Sequence, residues 1–187
     1  LEGDADTSLS LTFNQETLPE DRAVREALSL VTDVESINEA LYGNRENVAH
    51  GYFPPKVPHS GDPVDRPYDP DLAAEVLDEA GWKLENGVRV KDGQPLELEL
   101  LMVSDPVHGM MDSRTVGEVL QDETAKIGIE IELTIVDGTA YFEEAKERKF
   151  DLLFVTTYGA PYDPTNTATT FLSSESDSGI WASSELD

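Results

Sequence analysis

Cysteine is absent from the 187 residues, which removes disulfides, thiolate nucleophiles, zinc ribbons and iron–sulfur ligation while leaving the redox compartment open. Positive charge is scarce. Against 39 Asp and Glu stand 13 Lys and Arg, a formal net charge of −26, and the few cations form no extended patch. Phosphate backbones and anionic membrane surfaces attract Lys/Arg patches, so nucleic acid and a membrane surface are excluded as partners. No apolar run approaches the roughly 18–20 residues that cross a bilayer. The first residues, Leu1-Glu2-Gly3-Asp4, lack the charged and apolar regions of a signal peptide.

Chemical motifs are equally sparse. There is no GxSxG, no phosphate-binding Walker loop and no GxGxxG, which leaves hydrolase, nucleotidase and dinucleotide readings without support. The three histidines, His50, His59 and His108, sit in or beside loops and lack metal-ligand spacing. The pairs Asp4/Asp6 and Glu175/Asp177 lack the glycine and terminal glutamate of a calcium loop. Carboxylate pairs occur everywhere and for that reason identify no catalytic pair.

What is present is a folded pattern. Two Trp, six Tyr and six Phe accompany clean apolar periodicities, unlike an acidic disordered tail, and the length suits one domain or one lobe of something larger. The carboxylates are spread from Glu2 to Asp187. Repulsion among them is screened within about 3 Å at 1 M salt, so the excess points to a halophile, a haloarchaeal protein. An acidic fragment with a basic partner is the weaker alternative, because no single element concentrates the charge.

Ser8–Phe13 alternates with the period of a half-buried strand. Asp21 offers a cap for a helix carrying Val24, Leu28 and Val31, and a second helix through Ile37, Ala40 and Leu41 stops at Gly43. Residues 44–71 are rich in Pro and Gly and read as a long surface loop, with Tyr52, Phe53 and Tyr68 as its anchors. A helix then presents Leu72, Val76, Leu77 and Ala80 on one face. Asn86-Gly87 and Asp92-Gly93 bracket a short hairpin around Val88-Arg89-Val90. Leu96, Leu98 and Leu100 predict a strand with one wet face. A helix carrying Val116, Val119, Leu120 and Ile127 ends at Gly128, and Ile129, Ile131, Leu133 and Ile135 form an amphipathic strand. A short helix around Tyr141, Phe142 and Ala145 precedes Phe150–Val155, a run expected to be buried on both faces.

Strand and helix alternation at these spacings predicts an α/β layer with parallel pairings, and such sheets place ligands at the carboxyl ends of their strands. The stretch following the last buried strand, TTYGAPYDPTN, falls there. Tyr158 and Tyr162, held by Gly159 and Pro161, are suited to present two aromatic faces with hydroxyls to a ligand. Asp163-Pro164 reads as a helix cap followed by proline at the first helical position. The residues equally admit an ordinary capped turn whose tyrosines pack on the core.

Several segments carry a resemblance. DRAVREALSLVTDVESINEALYGN, YDPDLAAEVLDEAGW followed by DGQPLELELL, VLQDETAKIGIEIEL and KFDLLF, in that order, resemble the family 5 extracellular solute-binding proteins, receptors of dipeptide, oligopeptide and nickel ABC importers. The resemblance implies an α/β fold that is one lobe of a two-lobed, type II periplasmic-binding-protein-like clamp. Residues 1–187 would be the C-terminal ligand-binding lobe, entered from the hinge near Ser8–Phe13, with the partner lobe and secretion signal outside the chain.

It also implies a binding protein with no enzymatic activity, cofactor or resident metal. The ligand would be a small peptide or a metal chelate, and the protein partner an ABC permease. The setting would be extracellular, with a membrane link only through a lipid anchor outside these residues. The implied ligand-binding residues are Tyr158, Gly159, Ala160, Tyr162 and Asp163.

Peptide-binding members often carry an acidic residue where this chain has Ala160, and a peptide ammonium without a counter-charge is expensive to bury. GAPYDP is instead similar to nickel-type members, although these commonly have Trp at the Tyr158 position. They also supply a His soon afterwards, and none occurs between Asp163 and Asp187. The competing class, an acidic α/β hydrolase-like domain using loop carboxylates, needs a nucleophile and base that the residues do not offer. A protein-interaction module would need an exposed apolar patch.

Overall fold

The computed structural model describes residues 9–14, 16–43, 48, 67–104 and 113–156. Strand β1 (Leu9–Phe13) leads through a single 3₁₀ turn to helices α1 (Arg22–Val31) and α2 (Val34–Tyr42). Helix α3 (Pro70–Glu79) precedes a small meander of β2 (Lys83–Glu85), β3 (Val88–Lys91) and β4 (Gln94–Pro95). Then come β5 (Glu97–Val103), α4 (Arg114–Ala125), β6 (Glu130–Val136), α5 (Gly138–Lys146) and β7 (Leu152–Thr156).

The main sheet has the order β1-β7-β5-β6, with β7, β5 and β6 parallel and β1 antiparallel to β7. The chain moves from β5 outward to β6 through α4, then back past β5 to β7 through α5. Two crossovers of one hand that travel in opposite directions must place their helices on opposite faces. The packing shows this. Leu98, Leu100, Met102, Leu152 and Phe154 share a core with α1, α3 and α4, while Leu101, Leu153 and Val155 pack with Tyr141 and Ala145 of α5. Helix α4 comes close enough to β5 that a Cβ on Gly117 would lie 2.7 Å from Met102 Sδ.

Local signals explain most element ends. Asp21, Asp33, Asp69 and Asp137 cap α1, α2, α3 and α5 by accepting from backbone N–H groups of the first turn. Gly43 ends α2 at φ +59 and Gly128 follows α4 at φ +85, the left-handed region that glycine enters without penalty. Asn86-Gly87 and Asp92-Gly93 have positive φ throughout and turn the chain twice, so the expected hairpin is a three-stranded meander.

Other expectations are corrected. The long loop stops before 71, because Asp69 caps α3 and Pro70 takes its first position. Tyr52 and Phe53 lie outside the described residues, and Tyr68 is exposed, its hydroxyl donating to Glu123 of α4 at 3.0 Å. On α3 the buried face is Ala73 and Leu77, with Leu72 40% exposed. Ile135, on strand β6 at the edge of the sheet, is 38% exposed, and Phe142, turned outward from α5, is 60% exposed. The wet face of β5 closes at Leu101, where α5 covers it. No residue of α2 from 34 to 41 is buried, so Ile37, Ala40 and Leu41 make only a peripheral cover.

A buried arginine joins the meander to the rest. Arg89, 4% exposed, donates through Nε to Ile127 O at 2.7 Å and through Nη1 to Trp82 O at 2.8 Å and Asp78 Oδ1 at 3.0 Å. Nη1 serves the end of α3 twice and Nε reaches the segment after α4, so the buried charge is met by two carbonyls and by Asp78, whose own side chain is 53% exposed.

Candidate functional site

The sheet's register defines its two edges. At the carboxyl edge Leu9 of β1 stands opposite Thr156 of β7, and Val103 of β5 opposite Val136 of β6. Ser104 continues β5 by donating its N–H to Val136 O at 2.7 Å. Asp137, next after β6, accepts from Thr139 N at 2.8 Å and Ala140 N at 3.1 Å and is thereby occupied as a cap. Thr156 differs. Its Oγ1 is buried without a hydrogen-bond partner, as is Thr12 Oγ1 on the paired strand β1. Alternation along β7 puts its side chain on the face of Leu152 and Phe154, which is the α1, α3 and α4 face.

The expected ligand-binding residues Tyr158, Gly159, Ala160, Tyr162 and Asp163 lie outside the described residues, as do His50, His59 and His108. The stretch carrying them follows Thr156 directly in sequence. The buried hydroxyl of Thr156 was not foreseen from the sequence. A threonine closing an apolar strand looks unremarkable, and only the burial of its hydroxyl marks it.

Tyr141 is the buried aromatic hydroxyl of the α5 face. It donates to Phe154 O at 2.5 Å, and burial raises its pKa well above the ordinary tyrosine value, so it stays a protonated structural donor.

The opposite, amino edge holds a cleft of about 350 Å³ lined by Glu97, Leu98, Glu99, Glu130, Ile131, Glu132 and Asp151. Glu97 stands directly opposite Glu130, and Glu99 opposite Glu132. Asp151 is held there by Glu99 N, which donates to its Oδ2 at 2.8 Å. Among the described residues, no group of three or more His, Asp or Glu is arranged to hold a metal ion.

A mostly parallel sheet covered by helices on both faces, with its candidate ligand edge at the strand carboxyl ends, defines a mixed α/β domain of the periplasmic-binding-protein kind. Residues 2–179 match the model of the bacterial extracellular solute-binding proteins, family 5 Middle, and the chain belongs to that family. It is 35% identical over 147 residues to the nickel-binding periplasmic protein of Escherichia coli K12, covering 76% of this chain and 27% of that protein. To the di/tripeptide-binding protein 1 of Pseudomonas aeruginosa it is 28% identical over 158 residues, 83% of this chain and 28% of that protein. Its fold is similar to the crystal structure of NikA from Brucella suis in complex with Fe(III)-EDTA. That match has a TM-score of 0.74 and 31% identity, and covers 87% of this chain and 34% of the other. The chain thus spans roughly a quarter to a third of the relatives it matches.

Proposed function

We propose that these residues form one lobe of a receptor that captures a small peptide or a nickel chelate between two lobes and delivers it to an ABC permease. The observation that carries this reading is the family match from residue 2 to residue 179, a range that takes in the parallel sheet and the Tyr158–Asp163 stretch. The similar proteins are binding proteins by name, one for nickel and one for di- and tripeptides. Nothing among them favours the hydrolase alternative, and we read the chain as non-enzymatic.

Tyr158 and Tyr162 would line the ligand with Gly159, Ala160 and Asp163 beside them. Supporting this are the position of the stretch directly after the central strand β7 and the general tendency of such sheets to bind ligands past their carboxyl ends. Ala160 offers no counter-charge for a peptide ammonium, which favours a chelate over a peptide unless the other lobe supplies the anion. The receptor would work outside the cytoplasmic membrane, tethered by a lipid anchor beyond these residues, and in a halophile's salt.

Calorimetric titration of the full-length receptor with nickel, nickel–histidine, dipeptides and oligopeptides tests the reading. Binding of one class, lost or weakened at least tenfold in Tyr162→Ala, is expected. No binding of any of these ligands overturns the ligand assignment, and unchanged affinity in Tyr162→Ala overturns the site.

A further inference from the structure

The meander turns the chain twice in the same way. Glu85 pairs with Val88 across β2 and β3, and Lys91 with Gln94 across β3 and β4, so Asn86-Gly87 and Asp92-Gly93 are two-residue loops. Their φ values, 54 and 99 in the first and 54 and 82 in the second, belong to the type I′ turn, whose first central residue has a ψ of about +30°. Asn86 and Gly87 are both exposed, and theirs is the one Asn-Gly pair in the chain.

An asparagine followed by glycine is chemically labile, because no Cβ shields the glycine nitrogen. That nitrogen attacks Asn86 Cγ. The N–Cγ bond forms, the Cγ–Nδ2 bond breaks, and the Gly87 amide proton leaves with Nδ2 as ammonia. Water then opens the cyclic imide at either carbonyl, leaving aspartate or isoaspartate at position 86 with no change of oxidation state. The ring closes only when Asn86 Cβ and Gly87 N lie on the same side of the Cα–C bond. A ψ of about +30° holds them on nearly opposite sides, so the turn that invites an Asn-Gly pair also blocks its chemistry. We propose that Asn86-Gly87 is a deamidation site kept shut by its own turn, and that the folded protein is modified there only when the β2–β3 hairpin opens.

The damage falls on Arg89. This turn sets the register that places Arg89 opposite Leu84, from where its N–H reaches Gly128 O at 2.8 Å and its guanidinium reaches Ile127 O and Trp82 O. Isoaspartate routes the main chain through its Cβ, adding an atom to a loop with no slack, and shifts that register. Plain aspartate leaves the backbone as it was, and the matching turn already holds Asp92 at the equivalent position.

The test follows residue 86 by peptide mapping and mass spectrometry at mildly alkaline pH, with isoaspartate resolved by chromatography. The folded full-length receptor is compared with the same receptor unfolded in guanidinium chloride and with a synthetic peptide spanning residues 83–91. Deamidation in the folded receptor is expected to be at least roughly tenfold slower than in the other two, the ratio reporting how rarely the hairpin opens. Receptor aged to isoaspartate should melt at a lower temperature than the parent, while Asn86→Asp melts close to it. A folded rate equal to that of the peptide overturns the gating, and no reaction in the unfolded chain overturns the site. Aged receptor that melts like Asn86→Asp overturns the consequence for Arg89.

Discussion

The indole of Trp82 donates from Nε1 to Asp21 Oδ2 at 3.1 Å, and the same oxygen accepts from Lys91 Nζ at 2.7 Å. One carboxylate therefore caps α1 through Ala23 N, pins the end of α3 and holds the meander, with Lys91 also lying 5.5 Å from the Trp82 ring. Asp21→Ala should cost about 2–3 kcal/mol, the sum of a lost cap and two partly buried bonds, read from a urea denaturation midpoint.

The same residue sets an acid limit. Burial pushes the Asp21 carboxyl upward, but the bonds from Lys91, Ala23 and Trp82 outweigh it and leave the pKa below the ordinary aspartate value. A carboxylate with a depressed folded pKa contributes stability that is present above its unfolded pKa, and loses it as pH falls through the folded value. Stability of the parent should therefore fall below about pH 4 more steeply than that of Asp21→Asn. Equal acid slopes in the two proteins would remove Asp21 from the account.

Gly128 makes a sharper mutational prediction. At φ +85 its missing Cβ would meet Leu84 Cδ1 at 2.6 Å and Arg89 Cγ at 3.0 Å. Gly128→Ala should cost about 1–3 kcal/mol, part backbone strain and part displacement of the side chains above it. Adding Leu84→Ala should return only the steric share, because the backbone conformation is unchanged. A double variant as stable as Leu84→Ala alone would show that strain contributes nothing.

Arg89→Met should be more damaging than its volume suggests. It strands Trp82 O and Ile127 O, both bonded to the guanidinium in the parent, and about 1–3 kcal/mol is expected from each carbonyl left without its donor, the exposed Asp78 adding little. Circular dichroism melts of Arg89→Met and Arg89→Lys, with Lys recovering part of the loss, are the measurement.

The β5–β6 ladder predicts a salt dependence that is local. Like charges directly opposite one another destabilise a sheet pair by a few tenths to about 1 kcal/mol. Glu132→Gln, which relieves the Glu99 pair, should stabilise the protein by roughly that amount in dilute buffer, with the gain disappearing near 1 M salt, where screening acts within about 3 Å. Denaturation of both proteins across a salt series gives the answer, and a gain that persists at high salt would point to packing instead of charge.

Sequence patterns carried the local decisions of this fold well. Asp21, Gly43, the two Asn/Asp-Gly pairs and Gly128 act through their own backbone, so their meaning does not depend on distant residues. What depends on partners was harder. Leu72 and Ala73 are neighbours on α3, and which of them turns inward is decided by where α1 lies. Arg89 sits between two valines and looks like the wet side of a hairpin, yet it is buried because acceptors from distant segments converge on it. The insertion of β7 between β1 and β5 was likewise invisible, since a strand that continuous fits any interior position. The aromatic stretch after Thr156 was legible as a candidate, whereas the Thr156 hydroxyl acquires meaning only from its surroundings.

Strand β6 closes one side of the main sheet, and among the described residues no strand pairs with its outer edge, where Gln121 of α4 donates to Ile131 O at 2.6 Å. Beyond that bond, a second copy of the protein, or a misfolded one, would find N–H and C=O groups of β6 on which to add a strand. Glu130 and Glu132 alternate along that edge, and an incoming β6 would bring identical carboxylates against them. The charges that weaken the ladder from within thus guard it from outside, and a variant freed of them for stability would become a candidate for aggregation.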